Sequence, residues 1–114
     1  MGAQFYGGPS DILVVVPSSV RKEALYSFEL QKLGFKGGLS TGWKRAKQLA
    51  TQKAIPIEDA RFMKAWFARH IFASYPTYRK WKEAGFPKTK NWHNKRGIIS
   101  WEIWGGTPAF NWIN

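Results

Sequence analysis

Apolar residues recur along most of the chain every three to four positions, the spacing that one face of an amphipathic helix shows. This spacing predicts helices over about residues 20–33, 41–53, 56–72, 77–84, 95–104 and 107–112. One β-branched run, Ile12–Val16, ends at Pro17 and predicts a short strand or extended segment, with no clear partner in the sequence. We therefore expect a mainly α fold: a compact bundle of five to six short helices with one short N-terminal strand.

The expected helix ends and buried faces follow from particular residues. Ser18 or Ser19 is expected to cap the first helix and Gly34 to end it. Gly105-Gly106 is expected to end the fifth helix, with Gly105 in the left-handed conformation, and Thr107 to cap the last helix. The expected buried face of the first helix consists of Leu25, Phe28 and Leu30. That of the second consists of Trp43, Ala46, Leu49 and Ala50, and that of the third of Phe62, Met63, Trp66, Phe67 and Ile71.

Prolines and one strongly apolar helix refine this arrangement. Pro56 suits the first position of the third helix, whereas Tyr75-Pro76 is expected to interrupt the chain before a short fourth helix. The fifth predicted helix, about 95–104, is apolar on nearly all sides, which is typical of a central, buried helix. Residues 1–17 are expected to form a Gly-rich lead-in containing the strand, and residues 18–114 a single helical domain.

Composition supports a folded, soluble chain. The 114 residues suffice for one domain, and 44% of them are hydrophobic and 17% aromatic, which suits a dense core. There is no cysteine, which excludes disulfides and thiolate chemistry. The longest apolar run is far shorter than the ~20 residues that span a bilayer. We expect a soluble, intracellular protein without membrane contact.

Charge is the strongest functional signal in the sequence. The net charge is +11, and its distribution is uneven. Residues 32–70 carry nine basic and two acidic groups, and residues 71–96 carry seven basic and one acidic group. Both ends of the chain are nearly neutral. A domain this basic attracts polyanions, so we expect nucleic acid as the partner, with DNA favoured over RNA.

The basic residues fall in two segments that also contain glycine or aromatic residues. The first surrounds Gly37-Gly38, where a Gly-rich turn entering a helix offers free backbone N–H groups to an anion. The second mixes cations with Tyr78, Trp81 and Trp92; we expect Trp81 in the core, while Trp92 suits the core and base stacking equally. The predicted nucleic-acid-binding residues are Lys36, Lys44, Arg45, Lys47, Arg79, Lys80, Lys82, Lys88, Lys90, Trp92, Lys95 and Arg96.

Catalytic and metal-binding patterns are weak in this sequence. His70 falls on the apolar face of the third helix, so we expect a core histidine bonded to Asp59, Glu102 or a backbone carbonyl rather than a general base. His93 lies in a basic loop, where it suits a phosphate contact or plain exposure equally. Two distant histidines and unclustered acids do not form a metal site. We therefore predict no enzyme, no metal and no cofactor.

Glu102 is the one charged residue on the apolar fifth helix. A buried carboxylate without a partner is costly, so we expect Glu102 to meet Arg45, Arg69 or a helix N-terminus. A structural role is favoured over a buried acid–base role.

Three motifs in fixed order carry a resemblance to a known domain. They are Gly37-Gly38 with Gly42-Trp43-Lys44-Arg45-Ala46-Lys47-Gln48-Leu49, then Met63 with Trp66-Phe67-Ala68-Arg69-His70, and Trp101-Glu102-Ile103-Trp104-Gly105-Gly106. Over roughly residues 18–112 the chain resembles a small domain that recurs in tailed-phage proteins, alone or appended to head-maturation proteases. The resemblance implies a viral origin, and with it a location in the host cytoplasm or the virion, but no established activity.

The chain departs from this family pattern at two acidic positions. Ile71 and Thr107 stand where the family usually has an acid, and the segment between His70 and Gly97 is longer and more basic. These departures favour binding over chemistry. The leading expectation is phosphate-dominated, weakly sequence-specific nucleic-acid binding. The alternatives are a virion accessory or host-modulating protein-interaction module, and an enzyme acting on phosphate esters through Arg69 and His70, which requires a concave site around His70.

Overall fold

A computed structural model describes residues 12–114, so most of the predicted Gly-rich lead-in lies outside the described residues. The mainly α prediction is confirmed: within this range the chain forms six α-helices and a sheet of two short strands. Their bounds are β1 Leu13–Val15, α1 Ser18–Lys32, α2 Ser40–Thr51, β2 Ala54–Pro56, α3 Ile57–Ala73, α4 Tyr75–Glu83, α5 Gly97–Ile103 and α6 Gly106–Ile113, with a 3₁₀ turn at Lys90–Trp92.

The N-terminal strand has a partner that the sequence pattern did not reveal. β1 pairs antiparallel with β2, and Val14 stands opposite Ile55, which is fully buried. Two further backbone bonds, Val16 N to Lys53 O at 2.8 Å and Ile57 N to Ile12 O at 2.9 Å, extend this pairing. β2 is only three residues long and ends at a proline, so periodicity could not distinguish it from the start of α3.

Helix α5 occupies the centre of the bundle, as its apolar sequence predicts. It packs against α1, α2, α4 and α6, and its residues Ile98, Ile99 and Trp101 are fully buried. The Trp101 ring meets the rings of Phe67 at 5.1 Å and Tyr75 at 4.9 Å, measured between centroids. This helix therefore joins the N-terminal and C-terminal helices around a common core.

Two predicted buried faces are wrong in part. Leu25 is 48% exposed, because α1 packs through its smaller residues, with Ala24 and Ser27 fully buried beside Val20 and Leu30. Phe62 is 66% exposed, whereas the side chains that α3 buries in the core are Met63, Trp66 and Phe67. Sequence spacing alone assigns the larger side chains to the buried face of a helix. Small side chains can take that place in the structure, because they let two helices approach closely.

Several predicted helix starts also differ from the structure. Neither Ser18 nor Ser19 caps α1, since the N-cap position is Pro17 and no side chain bonds there. Thr107 lies inside α6, where its Oγ1 accepts a bond from Trp101 Nε1 at 3.1 Å. The N-cap of α6 is instead Gly105, whose φ of 98° confirms the predicted left-handed conformation. Helix α4 begins at Tyr75, and the adjacent proline lies in its first turn. A proline costs no hydrogen bond there, because the N–H groups of a helix's first turn have no partner within the helix.

Candidate functional site

The fold brings two basic loops, 34–39 and 84–96, side by side. The Lys36 backbone N donates to His93 O at 2.8 Å, and the rings of Phe35 and His93 lie 4.6 Å apart. Gly34 and Gly37 permit this approach, because a Cβ on Gly34 would lie 2.9 Å from His93 Nδ1 and one on Gly37 would lie 2.7 Å from the Arg96 carbonyl oxygen. The predicted binding residues Lys36 and Arg96, 60 positions apart, thus share one surface.

We call this surface the loop surface. Its cations are exposed, and residues 84–101 contain no acidic side chain to neutralise them. Lys95 holds its Nζ 5.5 Å from the centroid of the half-buried Trp92 ring, a cation–π geometry. The members of the loop surface are Lys36, Lys88, Lys90, Trp92, Lys95 and Arg96.

Helix α4 contributes the remaining cations of the second predicted cluster. Lys80 and Lys82 are exposed, whereas Arg79 pairs with Glu83 at 3.7 Å. Trp81 is fully buried, as predicted, and its Nε1 donates to the Pro87 carbonyl at 2.7 Å. Trp81 therefore holds the chain after α4 in place and offers no face to a base.

The first predicted cluster divides on α2. Lys44 and Lys47 are exposed, while the Arg45 side chain is only 14% exposed. The Arg45 guanidinium lies 3.5 Å from Asp59 and 5.3 Å from the centroid of the Trp104 ring. Gln48 accepts a bond from Arg45 and donates to Asp59 at 2.7 Å. Arg45 is thus part of an internal network that joins α2 to α3.

A groove of about 860 Å³ lies between α2 and α3, with α5 as its floor. This volume is within the ~300–1,000 Å³ typical of small-molecule sites. The α2 wall includes its uncapped N-terminal turn, where Leu39 makes no side-chain cap. The lining residues are Gly38, Leu39, Thr41, Gly42, Arg45, Asp59, Phe62, Ala65, Trp66, Arg69, His70, Arg96, Ser100, Ile103 and Trp104.

Stacked rings form one side of the groove. His70 stacks on Trp66 with the ring centroids 3.9 Å apart and the planes at 5°. Trp66 stacks on Trp104 at 4.8 Å and 14°, and the Arg45 guanidinium lies 5.3 Å from the centroid of the Trp104 ring. The column joins α3 to α5 and α2. Because both faces of Trp66 are covered, that ring presents only its edge to the groove.

His70 lines the groove, and its expected partners are wrong. Its Nδ1 lies 2.7 Å from Ser74 Oγ, one helical turn along, rather than beside a carboxylate. Burial, with a smaller contribution from the Arg69 charge, lowers the pKa of His70 below its ordinary 6.5. The ring is therefore mainly neutral at pH 7. The concave site that an enzymatic role requires is present, but the described residues place no carboxylate on His70.

Two further arginines line the groove. Arg69 donates to the Ala65 carbonyl of its own helix at 3.3 Å, and within residues 12–114 neither Arg69 nor Arg96 forms an ion pair with an acid. Asp59 is the one acidic residue of the lining, and it is paired with Arg45. The groove therefore carries an excess of positive charge.

Glu102 lies outside the groove and does not meet the predicted partners. In the described part of the chain it pairs with neither Arg45 nor Arg69, and its buried Oε1 makes no hydrogen bond. A Cβ on Gly106 would lie 2.5 Å from that oxygen, so Glu102 approaches the first turn of α6 without a hydrogen bond from it. Burial, and to a lesser degree the charge of Glu23, raises the pKa of Glu102 well above its ordinary 4.5. A protonated carboxyl avoids the cost of a buried charge.

Residues 12–114 contain no group of three His, Cys, Asp or Glu side chains that could hold a metal ion. No helix over that range has the length and apolar character needed to cross a membrane. No protein-family model, curated protein or solved structure matches the chain.

Proposed function

We propose that this chain is a phage-encoded protein that binds nucleic acid, DNA in preference to RNA, mainly through phosphate. The observation that carries the proposal is the joining of the two basic loops into the loop surface by the Lys36–His93 backbone bond. Exposed cations on two adjacent loops that themselves contain no acidic residue attract the closely spaced charges of a nucleic-acid backbone. The sequence resemblance to the tailed-phage domain supports a role in the host cytoplasm or the virion.

The geometry favours weak sequence specificity. Reading base edges requires a helix or a β-ribbon that enters a groove of the duplex, whereas the cations of the loop surface lie on loops. Lysine is the commoner cation there, and it contacts phosphate as a point charge. We therefore expect contacts that depend on charge density and salt more than on sequence.

The test is fluorescence-anisotropy binding to a labelled DNA duplex, a single strand and an RNA at several salt concentrations. The Lys36→Ala/Lys90→Ala double variant removes one exposed lysine from each loop. Each phosphate contact contributes about 0.9 to the slope of log K against log salt, so this variant should reduce the slope by roughly two.

A matched control is Lys22→Ala/Lys53→Ala, which lowers the net charge equally. Both lysines are exposed near the start of α1, beside the sheet, and the loop surface adjoins the opposite end of that helix, roughly 20 Å away. The control should bind as the parent chain does. Equal losses in both variants, or no binding at low salt, would refute the proposal and favour an acidic protein partner.

A further inference from the structure

The groove between α2 and α3 adjoins the loop surface. Arg96 belongs to both, since it ends the basic loop and also lines the groove. The next residue, Gly97, lies against Ser74 and Thr77, where a Cβ would be 2.8 Å from Thr77 Cβ. Arg96 is therefore at the His70 end of the groove. Because Arg96 belongs to both, a strand held on the loop surface meets a groove-lining cation at this point.

This end of the groove suits a phosphate group. Arg69 and Arg96 both line it, and neither has an acidic partner in the described range. Guanidinium groups bind phosphate oxygens through paired hydrogen bonds. The first turn of α2, lined by Thr41 and Gly42, adds backbone N–H groups that no side chain caps. His70, mainly neutral at pH 7, leaves the positive charge there to the arginines.

The walls of the groove suit a flat ring. Trp66 and Trp104 are covered by their stack, but Phe62 lines the groove and is 66% exposed. Phe62 and Arg69 are seven residues apart on α3, so they lie on the same face of that helix. An aromatic ring exposed beside arginines is the arrangement by which single-stranded nucleic-acid binders hold a base and its phosphate.

We propose that this groove accepts one unpaired nucleotide, with its base on Phe62 and its phosphate at Arg69 and Arg96. The proposal rests on the proposed function, because the loop surface delivers the strand. It gives the groove a task that the phosphate contacts of the loop surface do not perform: distinguishing an unpaired nucleotide from a paired one. A blunt duplex keeps its bases stacked and should engage the loop surface alone.

The experiment compares a blunt DNA duplex with the same duplex carrying one unpaired terminal nucleotide, by anisotropy at fixed salt. The parent chain should bind the second probe about fivefold or more tightly, from the ~1–3 kcal/mol that stacking one base contributes. Phe62→Ala and Arg69→Gln should each abolish most of this preference and leave blunt-duplex affinity within about twofold.

Matched controls come from the same helix. Phe72 is 82% exposed and Arg61 is exposed, and neither lines the groove. Phe72→Ala and Arg61→Gln should keep the preference for the unpaired nucleotide. All four substitutions are at exposed positions, and thermal melting should confirm that each variant folds.

The outcomes separate the two proposals. Salt-dependent binding of both probes with equal affinity would overturn the groove proposal and leave the loop surface intact. A preference that Phe72→Ala reduces as much as Phe62→Ala would also overturn it. Failure of the parent chain to bind either probe would refute the proposed function together with this inference.

Discussion

Replacing Glu102 with glutamine should change how stability depends on pH. Glu102 is 1% exposed, its Oε1 makes no hydrogen bond in the described structure, and burial raises the pKa of its carboxyl well above 4.5. Burial also raises the pKa of the nearby Glu23. The pKa of Tyr78 is raised mainly by burial and, to a smaller degree, by the Glu102 charge. Glu102→Gln keeps the shape of the side chain and removes its titration.

The sign follows from proton counting. Above pH 4.5 the unfolded chain has lost the Glu102 proton while the folded chain retains it, so the folded state binds more protons. The stability that Glu102 contributes is fully present below its unfolded pKa and is lost as pH rises through its folded pKa. The slope is at most about 1.4 kcal/mol per pH unit for one group. From pH 5 to 7, Glu102→Gln should therefore gain up to about 2.5 kcal/mol relative to the parent chain.

The assay is urea unfolding followed by tryptophan fluorescence between pH 4.5 and 7.5. The difference in the free energy of unfolding between the variant and the parent chain should grow with pH. This trend distinguishes Glu102 from His70, because the lowered pKa of His70 makes stability rise with pH. Glu29→Gln is the control, because Glu29 is an exposed acid on α1. If the free energy of unfolding of Glu102→Gln fell with pH as steeply as that of the parent chain, Glu102 would not be the buried neutral carboxyl described above.

Three further outcomes test the packing. In urea unfolding, Gly105→Ala should lower the free energy of unfolding clearly more than Gly85→Ala. Both glycines have positive φ, which costs an alanine about 1–2 kcal/mol, but only at Gly105 would the new Cβ clash, 2.6 Å from Ala109 Cβ. Equal losses would contradict the packing of α6. Trp66→Ala should destabilise by about 3–5 kcal/mol, because it empties the middle of the stacked column, and a loss below about 1 kcal/mol would show that the column is not formed. An NMR titration of the His70 ring should give a midpoint below 6.5, and a midpoint at or above 6.5 would place the ring in solvent or beside an acid.

The sequence by itself determined the local structure. Apolar spacing located all six helices, and the apolar residues on nearly all sides of the predicted helix 95–104 identified α5 as the buried centre. Gly34 and Gly105 marked the ends of α1 and α5, because their positive φ angles are ones that few other residues adopt. These features depend on neighbours within one or two turns of the chain, so a one-dimensional pattern contains them.

Only the tertiary structure decided the rest, because it depends on which distant residues meet. Arg45 looked like a free cation, yet Asp59, 14 positions away, holds it inside the network between α2 and α3. The groove, with Phe62 exposed beside Arg69, is formed by residues of α2, α3 and α5 that are distant in the sequence. Lys36 reaches the basic loop through one backbone bond to His93. Contacts between residues far apart in the chain leave no periodic trace in sequence, and here they set which charges are paired and which remain exposed.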